Sequence, residues 1–491
     1  MKTMLGISTL LLGLLAANPA RAQHEEHPYV PETDPLVVRK LEQWQDWKFG
    51  FMMHWGPYSQ WGIVESWSIC SEDVGWCGPP KGNKHTARYV DDYVGYVKAY
   101  EQLPTTFDPV KFDPDAWARV AKDAGTKYVV FTTKHHDGFS MFDTRQTDYR
   151  ITAPNVPFHT NPRANVAKEV FDAFRAQGFG IGAYFSKPDW HSDAYWSPRW
   201  ATPNRHNNYD TRKHPDLWKR FVKFTHAQIG ELTRDYGALD ILWLDGGWVR
   251  ARDTMDDIAQ GTAGVPWPQD IDMPGMAALA RRNQPGLIVV DRAVGGRYEN
   301  YRTPEQKIPD EPLPYPWETC MTLGDSWSYT PNDNYKPARQ VVQMLVDVVA
   351  KGGNYLLNVG PQPDGQLPDE AVQRLREIGA WMQVNGEAIY ASRAVAPYRA
   401  GKFRYTRLKN GDVYAIYLPD AKEKRLPAKL EIPGPAPRAG TQLAVLGSDA
   451  ALAWRRDNDK TVLDVPEDVR KDTAGAYAWA IRLPGAMQAA P

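Results

Sequence analysis

The sequence predicts an α/β chain: a closed barrel of parallel strands followed by a small antiparallel β-sandwich. Three observations carry that prediction. Short apolar runs alternate with amphipathic helical stretches over most of the 491 residues, and each run turns polar or glycine-rich at its carboxyl end. Beyond Ser392 the pattern changes to two-residue alternation interrupted by turn signals.

Residues 1–22 read as an export signal, with Lys2, an apolar stretch from Met4 to Ala17, and Ala20-Arg21-Ala22 as a small-x-small cleavage site. The stretch is short for a membrane span, and no later run is long and apolar enough to cross a bilayer. The mature chain is expected to start at Gln23 and to be periplasmic or secreted. Residues 23–392 form the expected barrel. Its strands are "FGFMMHWG", "KYVVFTTKHHDGF", "GIGAYFS", "LDILWLDGG", "LIVVDRA" and "NYLLNVGP", with "PWETCM" a weaker seventh. Helical stretches lie between them: "DPDAWARVAKDAG", capped by Asp113 or Asp115, "NVAKEVFDAFRAQG" and "LWKRFVKFTHAQIGELTRDYG", each stopping at a glycine. Residues 190–216 show no period and are expected to lie over the barrel mouth. Residues 393–491 form the sandwich, with a hairpin signal at Asn410-Gly411 and further strands in "TVLDVP" and "AYAWAIRLP".

In a parallel barrel the carboxyl ends of the strands share one face, where the active site is built. His54, His135, His136, Asp137, Tyr184, Asp245, Asp291, Arg292 and Asn358 all fall at such ends, so residues some three hundred positions apart should converge. An open doubly wound sheet gathers polar ends only near a switch point, and six or seven such ends favour closure.

Composition narrows the partners. Lys plus Arg number 58 against 59 Asp plus Glu, which gives no electrostatic reason to expect nucleic acid or anionic lipid. The 19 Trp suit stacking on sugar rings, although large aromatics more often fill cores. Cys70 and Cys77 could close a small loop in an oxidising compartment, leaving Cys320 single, and the three thiols do not make a zinc motif.

The chemistry centres on "ILWLDGGW". Asp245 ends a run too apolar to be a solvated edge, so its carboxylate must be hydrogen-bonded or lie in a cleft. Gly246 and Gly247 allow a sharp turn and close approach of a bulky ligand. Cleaving a glycosidic bond with retention takes two carboxyl groups about 5–5.5 Å apart. Asp245 is the natural nucleophile, and its partner comes from Glu299, Glu305 or Glu318, the last better read as part of a structural salt bridge. A barrel metallohydrolase would place two His at i and i+2 on an early strand, whereas "FMMHWG" has only His54. The histidines are therefore expected to meet sugar hydroxyls, with neither metal nor cofactor.

Over almost the whole mature chain these residues resemble family 29 of the glycoside hydrolases, the α-L-fucosidases. The shared strings are "KFGFMMHWGPYS", "KYVVFTTKHHDGFSMFDT", "LWLDGGW", "VVDRA", "PWETCMTLGDSWSY", "GGNYLLNVGPQPDG" and "VNGEAIYASR". The resemblance implies a (β/α)8-type catalytic barrel, a C-terminal β-sandwich, and retaining, exo-acting hydrolysis of terminal α-L-fucosyl residues from glycans. It places the nucleophile on Asp245 and the acid/base on Glu305 of "TPEQ", ahead of Glu299. Pocket roles fall on His54, Glu65, Trp67, His135, His136, Tyr184, Trp243, Arg292 and Trp327. One departure stands out. Family members commonly carry a Glu-Trp pair where this chain inserts Ser66 between Glu65 and Trp67, which puts strict fucose selectivity in question and would admit a neighbouring L-sugar such as an L-galactoside.

Overall fold

The computed structural model describes residues 28–70, 82–202, 204–470 and 477–486. Among them, seven parallel strands form one sheet: β1 (Phe49–Met53), β2 (Tyr128–Lys134), β3 (Gly180–Ser186), β4 (Ile241–Asp245), β5 (Ile288–Asp291), β6 (Glu318–Thr322) and β7 (Asn354–Val359). Their order, β5-β4-β3-β2-β1-β7-β6, leaves β5 and β6 at the two edges. Residues 298–306 stand in that gap without forming a regular strand. They make an antiparallel bridge from Glu299 to Val290 on the β5 side and parallel bridges from Arg302 to Trp317 and Glu305 to Cys320 on the β6 side. Backbone bonds from Asn300 N to Val289 O (3.0 Å) and from Gln306 N to Cys320 O (2.9 Å) secure both seams. The eighth position of the barrel is thus filled by an irregular segment bridged to both edge strands.

Side chains alternate across each strand. On β4, Leu242 and Leu244 join the large cluster under the surrounding helices, while Ile241 and Trp243 face the interior with Met52, Tyr128, Val130, Tyr184 and Leu356. Asp245 continues that inward parity, which is why an apolar strand delivers a carboxylate to the mouth. Helix Pro35–Trp47, capped by Asp34, contributes Leu41 and Trp44 to the same interior cluster, with Trp44 stacked on Tyr301 at 4.0 Å. Helix Pro114–Asp123 is capped by Asp113, whose carboxylate accepts from Ala116 N at 3.1 Å.

The C-terminal part has two antiparallel sheets among the described residues. One joins β8 (Arg393–Ala400), β9 (Phe403–Arg407), β10 (Val413–Tyr417), β12 (Ala444–Val445) and β15 (Trp479–Leu483); the other joins β11 (Lys429–Pro433), β13 (Trp454–Asp457) and β14 (Lys460–Asp464). The Asn410-Gly411 hairpin forms between β9 and β10, with Gly411 at φ 91°. Alternation again divides the faces: Val413, Ala415 and Ile481 enter the sandwich core, whereas Tyr414, Ile416 and Ala480 pack with the barrel helices. Trp381 Nε1 donates to Ala478 O at 2.8 Å and Thr406 Oγ1 to Ala388 O at 2.7 Å across this contact. β8, β11, β12 and β13 escaped the sequence reading because their patterns are short or mostly exposed.

Helices Pro114–Asp123 and Asp369–Asn385 touch at Gly379, where an added Cβ would lie 2.0 Å from Asp123 O. Backbone cannot yield as a flexible side-chain end can. Gly379→Ala is therefore expected to destabilise the chain by about 1–3 kcal/mol, read as a lower urea midpoint at unchanged slope.

Cys77, the expected partner of Cys70, and the export segment lie outside the described residues. No helix among those described is long and apolar enough to cross a membrane.

Candidate active site

One cavity of about 700 Å³ opens at the carboxyl ends of the strands. Eleven of the side chains singled out line it, namely His54, Glu65, Trp67, His135, His136, Tyr184, Trp243, Asp245, Arg292, Glu305 and Trp327, whereas Asp137, Asp291, Glu299, Glu318 and Asn358 do not. Arg205, Trp248, Arg250, Arg252, Gln260 and Cys320 line it too and were not foreseen. All but Cys320 come from loops whose course no local period announces.

The Asp245 carboxylate is held by three protein donors. Oδ1 accepts from Arg292 Nη1 at 3.0 Å and Gly246 N at 2.8 Å, and Oδ2 accepts from Tyr184 OH at 2.7 Å. Burial alone would raise its pKa, but the Arg292 guanidinium and these two donors overcome it and hold the group well below the ordinary carboxylate range. Asp245 is ionised at any working pH. The glycines behind it serve two purposes. Gly246 turns the chain at φ 84°, as expected. A Cβ on Gly247, however, would lie 2.8 Å from Arg292 O, so there the close neighbour is the end of β5 rather than a ligand alone.

The loop behind Asp245 is held by a buried ion pair that sequence reading missed. Lys187 Nζ donates to Asp291 Oδ1 at 2.5 Å and Val249 O at 2.9 Å, while Lys187 N donates to Asp245 O at 3.0 Å. Backbone and side chain together, this one residue ties the end of β3 to the end of β4, to the loop after it and to the end of β5. A Lys in an apolar run is the only linear hint of it.

The three glutamates differ sharply. Glu305 lines the cavity, is 39% exposed, and is ion-paired with Arg292 through Nη2, so one guanidinium bridges it to Asp245. Glu299 is 1% exposed and stays outside the lining; its Oε1 accepts from Ala293 N at 2.9 Å, and its Oε2 lies 3.5 Å from Arg302 Nε. Burial pushes Glu299 up to about 7. Glu318 sits inside the barrel, where it accepts from Trp243 Nε1 at 3.2 Å and Tyr128 OH at 2.5 Å. The salt bridge expected for Glu318 does not form among the described residues. Aromatic donors take its place because the barrel interior at that depth is built of Trp and Tyr, and burial pushes the group up to about 7.

The imidazoles are neutral near pH 7. Burial lowers His54 to about 4, His136 to about 3 and His135 well below its ordinary value. His54 Nδ1 meets Asn358 Oδ1 at 2.8 Å, and Asn358 Nδ2 donates to Trp327 O at 2.6 Å. That orientation makes Nδ1 the donor and leaves Nε2 an acceptor. His136 Nε2 lies 3.9 Å from Asp245 Oδ2, and its buried Nδ1 finds no partner among the described residues. Such groups suit hydroxyls, which both donate and accept. As ligands, His135, His136 and Asp245 offer atoms within 4.8 Å of one another. Any cation there would face the Arg292 guanidinium that already neutralises Asp245.

Ser66 has a local role. It opens the 3-10 turn Ser66–Ile69 and sends its Oγ to His135 Nδ1 at 2.5 Å, so Glu65 and Trp67 both still line the cavity. Trp67 stands edge-on to His136 with ring centres 5.1 Å apart. Glu65 Oε1 accepts from Ser328 N at 2.7 Å, yet burial pushes its pKa up to about 8, with Glu305 adding to the rise. Protonated Glu65 is thus a hydrogen-bond donor at neutral pH. Because its folded-state value is raised, the advantage of the protonated form is fully present at low pH and is lost as pH rises through about 8. kcat/KM is expected to fall above that pH, and Glu65→Gln, which cannot ionise, should remove this alkaline limb from the pH profile.

Comparison with known proteins gives a consistent result. The family model described as alpha-L-fucosidase matches residues 15–387. Human tissue alpha-L-fucosidase is 28% identical over 489 residues, covering 97% of this chain and 96% of that protein. An alpha-L-fucosidase of Dictyostelium discoideum is 27% identical over 425 residues, 83% of this chain and 84% of that one. Among solved structures, alpha-L-fucosidase isoenzyme 1 of Paenibacillus thiaminolyticus superposes with a TM-score of 0.71 at 28% identity, covering 91% of this chain and 99% of that one. The Thermotoga maritima alpha-fucosidase in complex with a mechanism-based inhibitor superposes with a TM-score of 0.69 at 26% identity, covering 93% and 100%.

Proposed function

The chain belongs to the α-L-fucosidase family and is a glycoside hydrolase; from that premise we propose that it removes terminal α-L-fucosyl residues from glycans with retention, using Asp245 and Glu305. Asp245 attacks the anomeric carbon as Glu305 protonates the departing oxygen, which gives a glycosyl-enzyme. Glu305, now a carboxylate, takes a proton from water as that water attacks the same carbon and frees the sugar. One observation carries the reading: a single guanidinium, Arg292, touches both carboxylates at once and so brings Asp245 and Glu305 together on one wall of the cavity.

The resting pairing has a mechanistic consequence. Glu305 rests against Arg292, whereas the first step needs it at the departing oxygen, so a bound substrate must part the two. Arg292 then remains on Asp245, and the neutral imidazoles with Tyr184 and Trp243 orient the ring. The N-terminal segment resembling an export signal supports action in the periplasm or outside the cell on fucosylated oligosaccharides.

Proton NMR of an aryl α-L-fucoside during hydrolysis should show the α-anomer of free sugar before mutarotation, and chelator should leave the rate unchanged. Initial release of the β-anomer would overturn the proposed mechanism.

A further inference from the structure

His54 and His135 both line the cavity, with ring centres 5.6 Å apart, yet what each offers depends on which nitrogen carries its proton. A neutral imidazole has one donor and one acceptor, and the partner on one nitrogen decides what the other presents. At His54 that partner is Asn358 Oδ1, an acceptor, so Nδ1 donates and Nε2 accepts. At His135 the partner is the Ser66 hydroxyl, whose Oγ lies 2.5 Å from Nδ1.

A hydroxyl can play either part, and burial decides between them. Ser66 is fully buried, and its Oγ has no other hydrogen-bond partner among the described residues. Were His135 Nδ1 to donate, the Ser66 O–H would be left in the interior without an acceptor, a loss that the opposite arrangement avoids. The hydroxyl therefore donates to Nδ1, and the His135 proton sits on Nε2. Burial keeps the ring neutral, so no second proton competes for Nδ1.

Both partners are held from behind. Ser328 Oγ donates to Ile63 O at 2.5 Å and Ser328 N to Glu65 Oε1 at 2.7 Å, which anchors the segment leading into Ser66. The His135 ring stacks on Tyr184, 5.8 Å between centres and 7° from parallel. Ser66 itself does not line the cavity, so its effect on a ligand passes through His135.

We propose that Ser66 is a positioning residue: it holds His135 as a hydrogen-bond donor at Nε2, opposite in sense to the acceptor at His54 Nε2, so that the two rings recognise sugar hydroxyls by complementary roles. The inference deepens the glycosidase reading and rests on it.

Two measurements test it. Long-range proton–nitrogen NMR of the full chain labelled at histidine nitrogens, with signals assigned through His54→Gln and His135→Gln, should show His135 protonated on Nε2 and His54 on Nδ1. A proton on His135 Nδ1 would overturn the proposal without reference to activity. Ser66→Ala should lower kcat/KM for an aryl α-L-fucoside about 10-fold, because Nδ1 loses the donor that fixes it. Against the 2-, 3- and 4-deoxy analogues of that fucoside, the loss should vanish for the one lacking the hydroxyl that His135 meets. An equal loss on the parent and all three analogues, or no loss at all, would overturn the role of Ser66 while leaving the glycosidase reading intact. Failure of the native enzyme to cleave the parent fucoside would instead count against the glycosidase reading itself.

Discussion

Asp245→Gly is expected to lower kcat on an aryl α-L-fucoside by at least about 10³-fold, because it removes the one group aimed at the anomeric carbon. The fold should survive. Arg292 keeps its pairing with Glu305, and a glycine at the end of β4 removes a side chain that faces an open cavity rather than the core. The product formed in azide is the sharper readout. With no nucleophile, azide enters the vacated space and displaces the aglycone directly, giving the β-fucosyl azide by a single inversion. Appearance of the α-azide from this variant, or near-native turnover, would remove Asp245 from its assigned role.

Glu305→Ala should behave differently. Loss of general acid–base assistance costs about 10²–10⁴-fold, concentrated on natural glycosides whose leaving groups need a proton. An activated aryl fucoside still forms the glycosyl-enzyme, and azide then attacks that intermediate to give the α-fucosyl azide by two inversions. The two variants thus yield opposite anomers from one substrate. Glu299→Ala should show neither rescue nor an azide product, because Glu299 lies outside the cavity, tied to Ala293 N and close to Arg302. If azide rescued Glu299→Ala instead, the assignment of the proton donor would be wrong.

Much of this site is legible along the chain. His54, His135, His136 and Arg292 lie just past the carboxyl ends of their strands, and Tyr184, Trp243 and Asp245 sit near the ends of theirs, so the geometry of parallel strands alone predicts that they meet. The loop residues were less accessible. Arg205, Arg250 and Arg252 look like ordinary surface arginines in sequence, and only the course of their loops places them on the cavity wall, Arg205 over Trp67 and Trp248. Lys187 and Asp291, 104 positions apart, form a buried pair that neither residue announces.

Period-two alternation within "ILWLD" by itself determined that Asp245 shares a side with Ile241 and Trp243, since a strand's pleat leaves no other arrangement. The choice between Glu299 and Glu305 belonged to tertiary structure. Both lie in the irregular segment that closes the barrel, where backbone follows no period and side-chain direction cannot be counted from a neighbour. Glu299 is turned inward by its bridge to β5, and Glu305 is turned to the mouth by its bridge to β6. Those bridges join residues brought together only once the ring has closed.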